Sequence, residues 1–135
     1  YLPLLRKRRK WSDRKKWVEF PLFKSYLFVH SKLNYLLPII KTPGIVKVIK
    51  FGNDIATISQ NNIDAIRSML EGGYNPVPTD YFIKGDPVLI KEGPLKGIIG
   101  EVIRVDEQDL LILRIDAIQQ SISVKINRAY IRKKL

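Results

Sequence analysis

The 135-residue sequence contains no cysteine, which excludes a disulfide framework and any cysteine-ligated metal site. Its single histidine, His30, is too little for a histidine-rich metal centre or a multi-histidine catalytic arrangement. No apolar run approaches the ~20 residues that span a bilayer, and no segment has the basic start and apolar middle of an export signal. A soluble, cytoplasmic protein without membrane association is expected. The glycine-containing stretch Gly93-Pro94-Leu95-Lys96-Gly97 lacks the Lys-Ser/Thr ending of a nucleotide-binding loop. Asp106, Glu107 and Asp109 are explained by hairpin-turn chemistry. No cofactor, metal or catalytic role is expected.

Acidic residues are also scarce, 13 against 24 lysines and arginines, giving a formal net charge of +11. Most of the excess sits in one place: Arg6, Lys7, Arg8, Arg9, Lys10, Arg14, Lys15 and Lys16 face only Asp13 within the span 6–16. Like charges this dense repel, so Arg6–Trp17 is expected to be an exposed loop. Concentrated positive charge points to a polyanionic partner, and Trp11 and Trp17 bracket much of it, placed to stack on bases. A solvated loop, or one fitted to an acidic protein patch, is the plainer alternative. The chain starts at Tyr1 rather than Met, and a natural N-terminus further upstream is expected.

With 45% hydrophobic and 27% charged residues, the balance is that of an ordinary globular chain. Ser25–His30 is rich in aromatic and β-branched residues and reads as a buried strand. Leu33, Leu36, Leu37 and Ile40 share one helical face, although Pro38 shortens or distorts that helix. Thr42-Pro43-Gly44 is a turn signal, followed by strands at Ile45–Phe51 and Ile55–Ile58. Ser59 is a suitable N-cap for a helix whose buried stripe is Ile63, Ile66, Met69 and Leu70, stopped at Gly72-Gly73. Residues 72–80 read as a linker between a first domain at 1–71 and a second at 81–135. Five short β-rich runs follow: Pro87–Lys91, Ile98–Asp106, Asp109–Ile115, Ser121–Ile126 and Ala129–Arg132. That density of strands predicts a small closed barrel.

Two stretches carry a family resemblance. The run from Lys84 to Val102, with Gly85-Asp86, Gly93-Pro94, Gly97 and Gly100, resembles a KOW motif. Its glycines suit tight corners that need positive φ or close backbone approach. Pro21-Leu22-Phe23-Lys24-Ser25-Tyr26-Leu27-Phe28-Val29 and Thr42-Pro43-Gly44-Ile45-Val46 resemble segments of NusG-type N-terminal domains, at the expected spacing. Lys24-Ser25 stands where the family has Pro-Gly. The family's first strand and helix would precede Tyr1. Asp116-Ala117-Ile118-Gln119-Gln120 replaces the Gly-Arg turn of housekeeping members, which resembles a specialised paralogue such as RfaH or the regulators of capsular-polysaccharide operons.

The resemblance implies an α+β protein: an incomplete NusG N-terminal-like α/β sandwich followed by a five-stranded KOW, SH3-like barrel. It implies a non-enzymatic transcription elongation or antitermination factor that binds RNA polymerase and suppresses pausing. Phe23 and Tyr26 match positions of an apolar patch that grips the clamp helices of the largest polymerase subunit, with Leu36, Ile39 and Ile40 as neighbours. Burial in the strand's own core is the competing reading of both aromatics. The basic segment would meet DNA near the transcription bubble, and the KOW half would recruit a ribosomal protein or termination factor. A ribosomal or other RNA-binding KOW protein is the alternative, and an enzyme subunit with an accessory barrel a more distant one.

Overall fold

The computed structural model describes residues 1–133 and shows a mixed α/β chain. Strands β1 (Leu4–Lys10) and β2 (Lys15–Pro21) pair antiparallel from Leu4↔Pro21 to Lys10↔Lys15. The segment expected as a loop is therefore a β-ribbon, because backbone ladder bonds form without burying any side chain. Helix α1 (Leu36–Ile40) is one short turn behind a 3-10 turn at Leu33–Tyr35. Pro38 sits in its first turn, where a missing N–H costs no helical bond.

Ser25 lies in a turn, and residues 26–30 form no strand. The backbone pairing of this segment is with Tyr1, whose carbonyl accepts from Phe28 N–H at 2.9 Å. Tyr26 and Phe28 are half-buried while Leu27 and Val29 face solvent, so the expectation of a buried strand is corrected to a non-strand segment covered on one side. The two strands expected at 45–51 and 55–58 shrink to β3 (Lys50–Phe51) and β4 (Asp54–Ile55). Pairing there runs from the Gly52-Asn53 turn to Lys50↔Ile55, with one further bond from Ala56 N–H to the Ile49 carbonyl at 2.9 Å.

Helix α2 (Gln60–Glu71) starts as expected. Ser59 Oγ accepts from Asn62 N–H at 3.2 Å, and Ile63, Ala65, Ile66 and Met69 are buried. It stops in a Schellman motif: Tyr74 N–H bonds the Met69 carbonyl (3.0 Å), and Gly73 N–H the Leu70 carbonyl (3.4 Å). Gly73 takes the left-handed φ of +76° that this closure needs.

Six antiparallel strands form the second sheet, in the order β10-β6-β7-β8-β9-β5. They are β5 (Val77–Thr79), β6 (Asp86–Ile90), β7 (Ile99–Val105), β8 (Gln108–Ile115), β9 (Gln120–Ile126) and β10 (Ile131–Lys133). Four lie where the sequence places them, and β10 overlaps the expected run 129–132 only at Ile131 and Arg132, because Arg128–Tyr130 form a 3-10 turn. The sixth, β5, comes from the stretch read as linker and pairs with β9 through Pro78↔Ile122. The sheet is open between β10 and β5, which corrects the expectation of a closed five-stranded barrel.

Alternation along the central strands explains the core. Leu111 pairs with Val124 and Leu113 with Ile122, so these four share one face and are at most 3% exposed. Val88, Ile90, Leu95, Ile98, Ile115 and Ile126 join them. The same buried cluster runs on into Ala65, Ile66 and Met69 of α2 and into Leu22 and Phe23. One continuous apolar core thus links the two halves of the chain.

Candidate nucleic-acid and protein interface

The ribbon holds all eight predicted nucleic-acid residues. Arg6, Lys7, Arg8, Arg9 and Lys10 lie on β1, Lys15 and Lys16 on β2, and Arg14 in the turn, where Trp11 N–H bonds the Arg14 carbonyl at 2.7 Å. Every residue from Arg6 to Trp17 is exposed. Near the base the charge is moderated. Arg6 pairs with Glu19 at 3.7 Å and lies 5.9 Å from the Trp17 ring centre, while Arg9 stacks 4.7 Å from the Phe20 ring. Towards the tip the cross-strand pairs set cation against cation: Arg9 stands opposite Lys16, and Lys10 opposite Lys15. Like charges in directly opposed positions weaken strand pairing. A chain selected for stability alone would not place them there.

The predicted protein-binding residues divide. Phe23 is 2% exposed and stands edge-on to Phe28, with ring centres 5.9 Å apart. Its ring is enclosed by the chain's own core, as the competing reading held, and it offers no free surface. Tyr26, Leu36 and Ile39 are half-buried and Ile40 is 38% exposed. Sequence reasoning missed their more exposed neighbours. Leu27, Val29, Leu33, Tyr35, Leu37, Val46 and Phe51 are all exposed. With Ile40 they make eight large apolar side chains open to solvent between positions 27 and 51. The available signal was the register of 26–29: four apolar residues in succession hide which two face outward.

Of the glycines expected at tight corners, Gly93 and Gly97 lie in the β6–β7 turn with positive φ, whereas Gly85 and Gly100 stand where the backbone approaches closely. Gly93 has φ +82°, and a Cβ there would lie 3.0 Å from the Tyr130 ring; a Cβ on Gly100 would meet the Ile112 carbonyl at 2.7 Å. Pro94 and Gly97 lie with Gly93 in the turn between β6 and β7, while Gly85 and Asp86 stand at the opposite end of β6, beside Val102. Glu101 ties down the start of β6, its Oε2 accepting from Gly85 N–H (2.9 Å) and Arg114 Nη2 (3.0 Å). Partial burial alone would raise the Glu101 carboxyl, but those two donors hold it below its ordinary value. Arg114 also bonds the Ile83 carbonyl and stacks 5.2 Å from the Tyr81 ring centre. Tyr81 in turn donates to Asp116 at 2.8 Å, and that bond raises its phenol above the usual value. Among the described residues no group of His, Asp and Glu is arranged to hold a metal. No helix of the described residues is long and apolar enough to cross a membrane.

Residues 1–67, which contain the ribbon, the exposed apolar segment and most of α2, match the family described as Transcription termination factor nusG. Over these residues the chain is similar to that family. No curated protein and no solved structure matches the chain. The matched stretch contains both surfaces described above, the basic ribbon and the apolar segment, and ends four residues before α2 does.

Proposed function

We propose that the protein is a non-enzymatic transcription elongation or antitermination factor that rides on RNA polymerase. The observation that carries this reading is the exposed apolar segment inside the stretch similar to the NusG family. A monomer gains nothing by leaving eight large apolar side chains in water, whereas a docking face uses them. The occupant in this reading is the clamp coiled coil of the polymerase, a pair of helices whose ridges suit an apolar, aromatic-bearing surface. Ile40 is one of the eight, and in this reading the half-buried Tyr26, Leu36 and Ile39 contribute to the same docking face.

Bound across the cleft, such a domain favours the closed clamp and drains the paused, open state by population shift. The basic ribbon reaches DNA beside the transcription bubble. The six-stranded sheet, read as a KOW domain, recruits a further protein such as a ribosomal protein or termination factor.

The test is co-purification with core RNA polymerase, followed by transcription across a pause site. The intact protein should be retained and should shorten the pause. Leu33→Asp combined with Leu37→Asp changes only exposed positions, so the fold should survive while retention drops by roughly tenfold or more. Retention of that double variant at the level of the parent, or association with ribosomal particles and not polymerase, would count against the proposal.

A further inference from the structure

The ribbon carries its charge on both faces. Opposed residues share a face and successive ones alternate. Arg6, Arg8, Lys10, Lys15 and Trp17 therefore point one way, and Lys7, Arg9 and Lys16 the other. Since all of Arg6–Trp17 is exposed, neither face is spent on the rest of the fold. A ribbon lying flat against a polyanion would satisfy one face and leave the other repelling itself. A polyanion on each side satisfies both.

Resting on the reading of this ribbon as the nucleic-acid contact, we infer that it enters the major groove of duplex DNA tip-first, with phosphates flanking both faces. The dimensions agree. The major groove admits a two-stranded β-ribbon. It is ~12 Å wide and ~8.5 Å deep, whereas the minor groove is only ~6 Å wide. At ~3.4 Å per residue, that depth admits about two to three residues of each strand. Turn residues 11–14 take up most of that depth, so Lys10 and Lys15 enter with the turn, and Arg8, Arg9 and Lys16 stay near the rim, where the phosphates run. Trp11, 57% exposed in the turn, leads the way in, and thymine methyl groups offer it apolar contact. The major groove of an RNA duplex is too deep and narrow to admit the ribbon. A single strand serves one face at a time.

Fluorescence anisotropy of the full chain without polymerase tests this, using a DNA duplex, the matching single strand and an RNA duplex of equal length. The DNA duplex should bind best, with log affinity falling against log salt at a slope of roughly −5, as for about six phosphates released. Lys10→Gln with Lys15→Gln should reduce that slope by about 2. DNA whose cytosines carry a glucosylated hydroxymethyl group, which fills the major groove, should bind roughly tenfold more weakly. Netropsin in the minor groove should leave affinity unchanged. Equal affinity for glucosylated and plain duplex, displacement by netropsin, or tighter binding to the single strand or RNA duplex overturns the inference. Any of these with polymerase retention intact overturns it alone. Groove-dependent binding without polymerase retention overturns the functional reading instead.

Discussion

Ser25 occupies the place where the NusG-type pattern has glycine, and its backbone keeps the left-handed conformation at φ +66°. A side chain in that region costs about 1–2 kcal/mol, so Ser25→Gly should raise stability by about 1 kcal/mol after glycine's extra unfolded-state entropy is deducted. Chemical denaturation with an unchanged slope would measure it, and a destabilised Ser25→Gly would mean the serine earns its place through contacts. Glu101 gives a pH prediction. Its folded carboxyl lies below the ordinary value, so its contribution is fully present above the unfolded value of ~4.3 and is lost as pH falls through the folded one. Glu101→Gln should flatten the stability profile between those two points. An identical profile in the variant would show that the Gly85 and Arg114 bonds carry no pH-dependent stability.

At the scale of elements, the ribbon is held by backbone pairing in spite of its side chains. Lys15→Glu turns the Lys10–Lys15 opposition into an attraction. It should stabilise by about 0.2–1 kcal/mol while weakening DNA binding, because two units of positive charge leave the tip. Opposite signs for stability and affinity are the readout; a loss of both would assign Lys15 a structural role. The ribbon was hard to read from sequence because charge density argues for solvent exposure, which is correct, and exposure says nothing about backbone pairing. Helix α2 was legible for the converse reason: its cap at Ser59, its apolar stripe and its closure at Gly73 are all local devices. The β7–β8 turn lies between these cases. Asp106 and Glu107 both adopt positive φ (46° and 63°), the geometry a two-residue hairpin requires even when glycine is absent.

For the whole molecule, the decisive feature is the apolar cluster that joins Leu22, Phe23 and α2 to the inner face of the six-stranded sheet. Two domains on a free linker would melt separately; one continuous core should melt once. Calorimetry should therefore show a single transition, and Ile66→Ala, at a site with 0% exposure, should lower the whole of it by about 2–5 kcal/mol. Two resolved transitions, only one of them shifted, would show that the halves fold independently.

The strand positions of the second half, the cap and stop of α2 and the concentration of charge at 6–16 were all contained in the order of residues, because alternation, capping and like-charge crowding act over a few positions. Pairing between distant segments obeyed another rule. That 6–17 became a ribbon, that Val77–Thr79 joined the edge of β9, and that Phe23 was enclosed while Leu27 and Leu33 stayed open all depended on which backbone or apolar face lay within reach in three dimensions. Burial is a property of neighbours, and no short stretch of chain specifies its neighbours alone.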